Sequence, residues 1–118
     1  MFNFEKLDVW RKAIEFADLV YSLTGAFPDN ERFGLTSQMR RSAVSISSNI
    51  AEGASRFSRD DYARFLEIAT GSLFEVVSQS FIATKQGFIS DQDRLRLYSA
   101  AEEQSRMLSG LRRSLGVN

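Results

Sequence analysis

The chain has 118 residues, fifteen Lys or Arg against fifteen Asp or Glu, 43% apolar side chains, and neither Cys nor His. That length fits one domain, residues 1–118, with a single hydrophobic core. The missing Cys excludes a disulfide framework and thiolate chemistry. The missing His removes the commonest general base and metal ligand, Glu-x-x-His bundle sites included. A zero formal charge argues against indiscriminate binding of polyanions and leaves local patches open.

The start, "MFNFEKLDVWRK", has no basic segment followed by an apolar run and reads as no secretory signal. No apolar stretch is long enough to span a bilayer, so the expected location is the cytoplasm, away from membranes. A first helix is predicted over residues 8–24. Two adjacent apolar stripes run along it, Leu7-Trp10-Ile14-Ala17-Tyr21 and Val9-Ala13-Phe16-Val20-Leu23. Gly25 and the single proline, Pro28, stop it.

The second helix is predicted from Leu35 or Thr36 to Glu52, with Gly53 at its end. Leu35, Met39, Ala43, Ile46 and Ile50 line one side, widened by Val44 and Ala51. Ser58 is a predicted N-cap for a third helix reaching about Gln86, with Asp60 and Asp61 complementing its dipole and Gly87 ending it. Tyr62, Phe65, Leu66, Ala69, Leu73, Val76 and Val77 form its core stripe. The fourth helix opens at Ser90, presents Leu95, Tyr98, Ala101, Leu108, Leu111 and Leu115, and closes at Gly116. Short loops make sequential helices antiparallel, so the expected fold is all-α, an up-down-up-down four-helix bundle.

Two features exceed what such a bundle needs. The first is the polar side of "RRSAVSISSNIAEGASR", residues 40–56, which carries serines and an Asn where a solvated helix carries Lys and Glu. Small polar residues suit close packing against another helix. Gly71 and Ser72 in the third helix offer a complementary spot, and Gln38, Asn49, Glu52 and Glu75 are candidates for one shielded polar network. The second is ten phenylalanines. Phe27, Phe33 and Phe88, near turns, are expected to cap the core. Phe16, Phe74 and Phe81 are candidates for an interface between copies, because a bare apolar patch is unusual on a single particle.

The segments "FEKLDVWRKA", "FPDNERFGLTSQMRRSAVSISSNIAEG", "RFLEIATGSLFE" and "GLRRSL" resemble the 23S ribosomal RNA intervening-sequence protein family, also called four-helix bundle proteins. The resemblance implies a four-helix bundle, often assembled as a ring-like homopentamer. Genes of some members lie within intervening sequences of ribosomal RNA genes. A related group, the accessory variability determinant of diversity-generating retroelements, looks like a pentamer that engages nucleic acid and a reverse transcriptase. The pattern maps onto Trp10, Gln38, Arg40, Arg41, Ser45, Asn49, Glu52, Gly53, Arg56, Phe65, Gly71, Ser72 and Glu75. The chain departs from it at Ser47, where the family often has Pro, and in "EVVSQS", where Val77 and Ser80 replace a carboxylate and a Leu. Those departures bear on helix straightness and on subunit number.

Twelve of the fifteen basic residues are Arg. Arg40, Arg41, Arg56 and Arg59 are candidate contacts to nucleic acid, with pairing of Arg41 to Glu52 or Glu75 the competing expectation. Glu52, Glu67, Glu75, Asp60 and Asp61 could in principle hold a hard cation. Yet there is no glycine-rich phosphate loop and no nucleophile–base pair, so neither an enzyme nor a cofactor is expected. The expected function is a non-enzymatic homo-oligomeric scaffold, pentameric by resemblance, with RNA or an RNA-bound protein as candidate partner. The alternative is a protein–protein adaptor that binds no nucleic acid.

Overall fold

The computed structural model describes all 118 residues as a rod of 43 × 23 × 22 Å. Four helices build it: α1 Asp8–Thr24, α2 Leu35–Ala54, α3 Arg59–Lys85 and α4 Asp91–Ser114. Short 3₁₀ turns at Asn3–Lys6 and Asp29–Glu31 precede α1 and α2. Each helix packs on its neighbour in sequence, α4 also closes onto α1, and α2 with α3 forms the most extensive pair. The predicted four-helix, all-α architecture is thus the observed one.

The helix ends follow the local signals. The Ser58 hydroxyl accepts from the Asp61 amide at 3.0 Å, and the Ser90 hydroxyl from the Asp93 amide at 3.1 Å. Each satisfies a first-turn donor that the helix itself leaves free. Behind α3, Gly87 turns at φ +78°, a left-handed conformation that side chains disfavour. The Phe88 amide then reaches back to Ala83 O at 2.8 Å and the Gly87 amide to Thr84 O at 3.0 Å, the paired bonds of a Schellman close. Phe88 there packs against Phe27, ring centroids 5.4 Å apart, and together they cap the core.

The core settles which apolar stripes face inward. In α1 it is Val9, Ala13, Phe16, Val20 and Leu23, while Ile14 and Tyr21 of the other stripe point outward. Phe16 is 3% exposed, so it is a core residue and leaves the set of candidate interface aromatics. In α4 the inward residues are Leu97, Ala101, Gln104 and Leu108, a rotation that puts Leu95 and Tyr98 on the surface. Val44 of α2 is likewise exposed, and so is Phe33, which caps nothing.

Gly53 does not end α2. The helix continues to Ala54, and Gly53 lies buried against Phe65 and Tyr62 of α3. A Cβ there would sit 2.9 Å from Phe65 Cβ and 3.1 Å from the Tyr62 ring. Overpacking of this kind costs about 1–3 kcal/mol, against roughly 1 kcal/mol of helix propensity gained on leaving glycine. Gly53→Ala is expected to lower the urea midpoint. A stabilised variant would show that the two helices are not held this tightly.

Candidate interaction surfaces

The predicted polar network forms only in part. Ser42, buried on α2, donates to Glu75 Oε2 at 3.1 Å, and Ser45 Oγ lies 2.9 Å from Ser72 Oγ. Each step of three along α2 meets a step of three back along α3, as antiparallel helices require. Asn49 Nδ2 bonds within its own helix, to Ser45 O at 2.8 Å and Ser45 Oγ at 3.0 Å. It therefore supports the seam by fixing Ser45. Gln38 and Glu52 are exposed and bond to nothing across the seam. The network is Ser42–Glu75 and Asn49–Ser45–Ser72, and the serines carry it because their short side chains let the backbones approach.

The two family departures are absorbed. α2 runs unbroken through Ser47, whose hydroxyl donates to Val44 O at 3.0 Å. Ser80 is fully buried and donates to Val77 O at 2.6 Å.

The four candidate arginines do not form one cluster. Arg40 and Arg41 lie near the start of α2, Arg56 and Arg59 beyond its end, roughly 20 Å away along the helix axis. Arg40 is committed to the end of α1: Nε donates to Thr24 Oγ1 at 2.9 Å, Nη2 to Tyr21 O at 3.4 Å, and the guanidinium stacks 4.6 Å from the Tyr21 ring centroid. A cation on the Tyr21 carbonyl, in the last turn of α1, offsets the negative end of that helix's dipole. Arg56 pairs with Asp61 at 3.6 Å and stacks on Phe65 at 4.5 Å. Arg41 and Arg59 are exposed, and Arg41 pairs with neither Glu52 nor Glu75.

The acidic residues are dispersed. Asp61 pairs with Arg64 and Arg56, and Glu67 with Arg112 at 2.8 Å. Two groups have shifted protonation. The Glu103 carboxylate, 3.3 Å from Lys12, holds that ammonium above its ordinary value, and burial raises the Tyr62 phenol. Both favour the form already present at neutral pH, and neither creates an acid or a base.

The α3–α4 face carries a groove of about 380 Å³ between Leu73, Phe74, Val77, Phe81, Tyr98 and Ala101. Phe74 is 62% and Phe81 46% exposed on a single copy. Phe81 meets Tyr98 edge-on at 6.3 Å, and Arg94 lies 4.7 Å from the Phe81 centroid. Tyr98, read from the sequence as core, lines this groove instead, and Leu95, read the same way, is exposed.

An antiparallel four-helix bundle with a serine-lined α2–α3 seam and a bare aromatic groove is thus the class of protein that the fold defines. The chain belongs to the 23S rRNA-intervening sequence protein family, whose model matches residues 5–110. It is similar in fold to a solved protein of unknown function from the S23 ribosomal protein family of Bacteroides thetaiotaomicron. The TM-score is 0.81 at 24% identity, over 88% of this chain and 97% of that one. No curated protein matches the chain. No helix is long and apolar enough to cross a membrane.

Proposed function

We propose that the chain is a non-enzymatic scaffold that assembles with copies of itself through the α3–α4 groove and associates with nucleic acid. The observation that carries this reading is the groove: two phenylalanines and a tyrosine are bare on one copy. Covering the exposed half of both rings is worth about 1.5–3 kcal/mol in total. Ring closure needs head-to-tail contact between two different surfaces, and further exposed apolar side chains lie elsewhere, at Ile14 on α1 and at Ile68 and Ile82 on α3. The family resemblance favours five copies. Exposed Arg41 and Arg59 support the nucleic-acid part, since a ring repeats each of them around its axis.

Light scattering on the purified chain with and without a structured RNA tests both parts. The expected mass is a multiple of 13.3 kDa, five-fold favoured. RNA should co-elute at low salt and separate at high salt. A particle of single-chain mass at micromolar concentration contradicts the assembly. Absence of RNA binding at low salt contradicts the nucleic-acid part and leaves the adaptor reading.

A further inference from the structure

Where α1 ends and α2 begins lies a concavity of about 470 Å³. Arg32, Arg40, Arg41, Phe33, Thr36 and Ser37 are among its walls, and no carboxylate is. In a chain of balanced charge, three arginines lining one concavity are a local excess over the one carboxylate beside it, Glu31, which is engaged with the Leu35 amide. Arg40 is fixed in place by its bonds to α1. Arg32 and Arg41 make no ion pair and remain available.

The backbone adds donors to the same wall. The first amide of α2, Leu35, is taken by the Glu31 carboxylate at 3.0 Å, and the Gln38 amide by Gly34 O at 3.0 Å. The amides of Thr36 and Ser37 between them meet no acceptor. Free amides at a helix start favour an anion. Thr36 and Ser37 also bring hydroxyls that bond to no protein group and stay open to solvent.

Phe33 supplies the remaining element. Its ring is 90% exposed, with the Arg32 guanidinium 5.4 Å from its centroid on one side. An aromatic ring in solvent beside a cation is an arrangement on which unpaired bases stack.

We infer that this corner binds a nucleoside phosphate presented by single-stranded RNA. The phosphate oxygens accept from Arg32, Arg41 and the amides and hydroxyls of Thr36 and Ser37, while the base lies on the open face of Phe33. The inference rests on the nucleic-acid part of the reading above and locates it. Arg56 and Arg59, at the far end of α2, have no part in this site. A duplex keeps its bases stacked and cannot reach the Phe33 ring, so a single strand is the form that fits.

Fluorescence anisotropy with a labelled single-stranded oligoadenylate at low salt tests it, on the assembled wild-type chain, Phe33→Ala and Arg41→Gln. Both positions are exposed, and the mass of each variant is checked against wild type. Phe33→Ala is expected to weaken the oligonucleotide by roughly 5- to 100-fold, with no change in competition by inorganic phosphate. Arg41→Gln should weaken both and reduce the salt slope by about one. Adenosine monophosphate should compete more weakly than the strand, and equal affinity would overturn the strand assignment. Variants that bind like wild type would overturn the site while leaving RNA association intact. A wild-type chain that binds no RNA would instead remove the reading on which the site rests.

Discussion

Phe16→Ala is expected to lower the unfolding free energy by about 3–5 kcal/mol, the range for truncating a fully enclosed aromatic. Phe16 lies at 3% exposure within the cluster that also holds Val20, Leu73 and Leu97, so truncation removes core contacts that no other side chain replaces. Against a total stability of roughly 5–15 kcal/mol for a domain, that loss should appear as a large fall in the denaturant midpoint. Protomer concentration must be held fixed, because assembly contributes to apparent stability. The molecules that remain folded should keep the mass of the wild type. A variant of unchanged midpoint that dissociates would place Phe16 at a subunit contact, against the packing described above.

The Phe74→Arg, Phe81→Arg double variant should behave in the opposite way. Both side chains are exposed on a single copy, and Arg is at least as good a helix former as Phe, so the fold of one copy should persist. What is lost is the apolar area that a second copy would cover. With about half of each ring left to cover, the lost burial amounts to about 1.5–3 kcal/mol for the pair, so subunit affinity should fall by roughly one to two powers of ten from area alone. Sedimentation should then show the assembly falling apart at concentrations where the wild type is intact, with helical circular dichroism unchanged. Retention of the wild-type mass would mean that the copies meet elsewhere.

The contrast between these two variants marks what periodicity could tell. The bounds of α1, the Ser58 and Ser90 caps and the Gly87 stop are local properties, fixed within a few residues of chain, and they are legible in the sequence. The rotation of a helix about its axis is not. α1 offers two adjacent apolar stripes, and only the positions of α2 and α4 select Val9-Ala13-Phe16-Val20-Leu23 over the stripe that contains Ile14 and Tyr21. α4 shows the same ambiguity. Gln104 reads as surface by type, yet it is buried and donates to Val9 O at 3.1 Å, tying α4 to the first turn of α1. That bond spans nearly the whole chain, and no short-range signal announces it.

Gly53 illustrates a different limit. A glycine near the end of an apolar period reads as a stop, but its backbone stays helical and its use is the close approach of Phe65 and Tyr62. The candidate surfaces divide along similar lines. The small residues of α2 point to a tight seam, and the seam exists through Ser42, Ser45 and Ser72. Which polar side chains cross it depends on the register of two helices, so Gln38 and Glu52 fall outside. Sequence proximity groups Arg40 with Arg41. Space separates them by role, one holding the end of α1 and the other facing solvent.

Hydroxyl-radical footprinting of the assembled chain, read residue by residue, tests the central claim most directly. Phe74, Phe81, Phe33 and Phe57 are all open on a single copy. If the α3–α4 groove is where copies meet, Phe74 and Phe81 should become protected as concentration rises through the assembly range, while Phe33 and Phe57 stay reactive. Oxidation of Phe74 and Phe81 at the same rate in assembled and dilute samples would contradict the account.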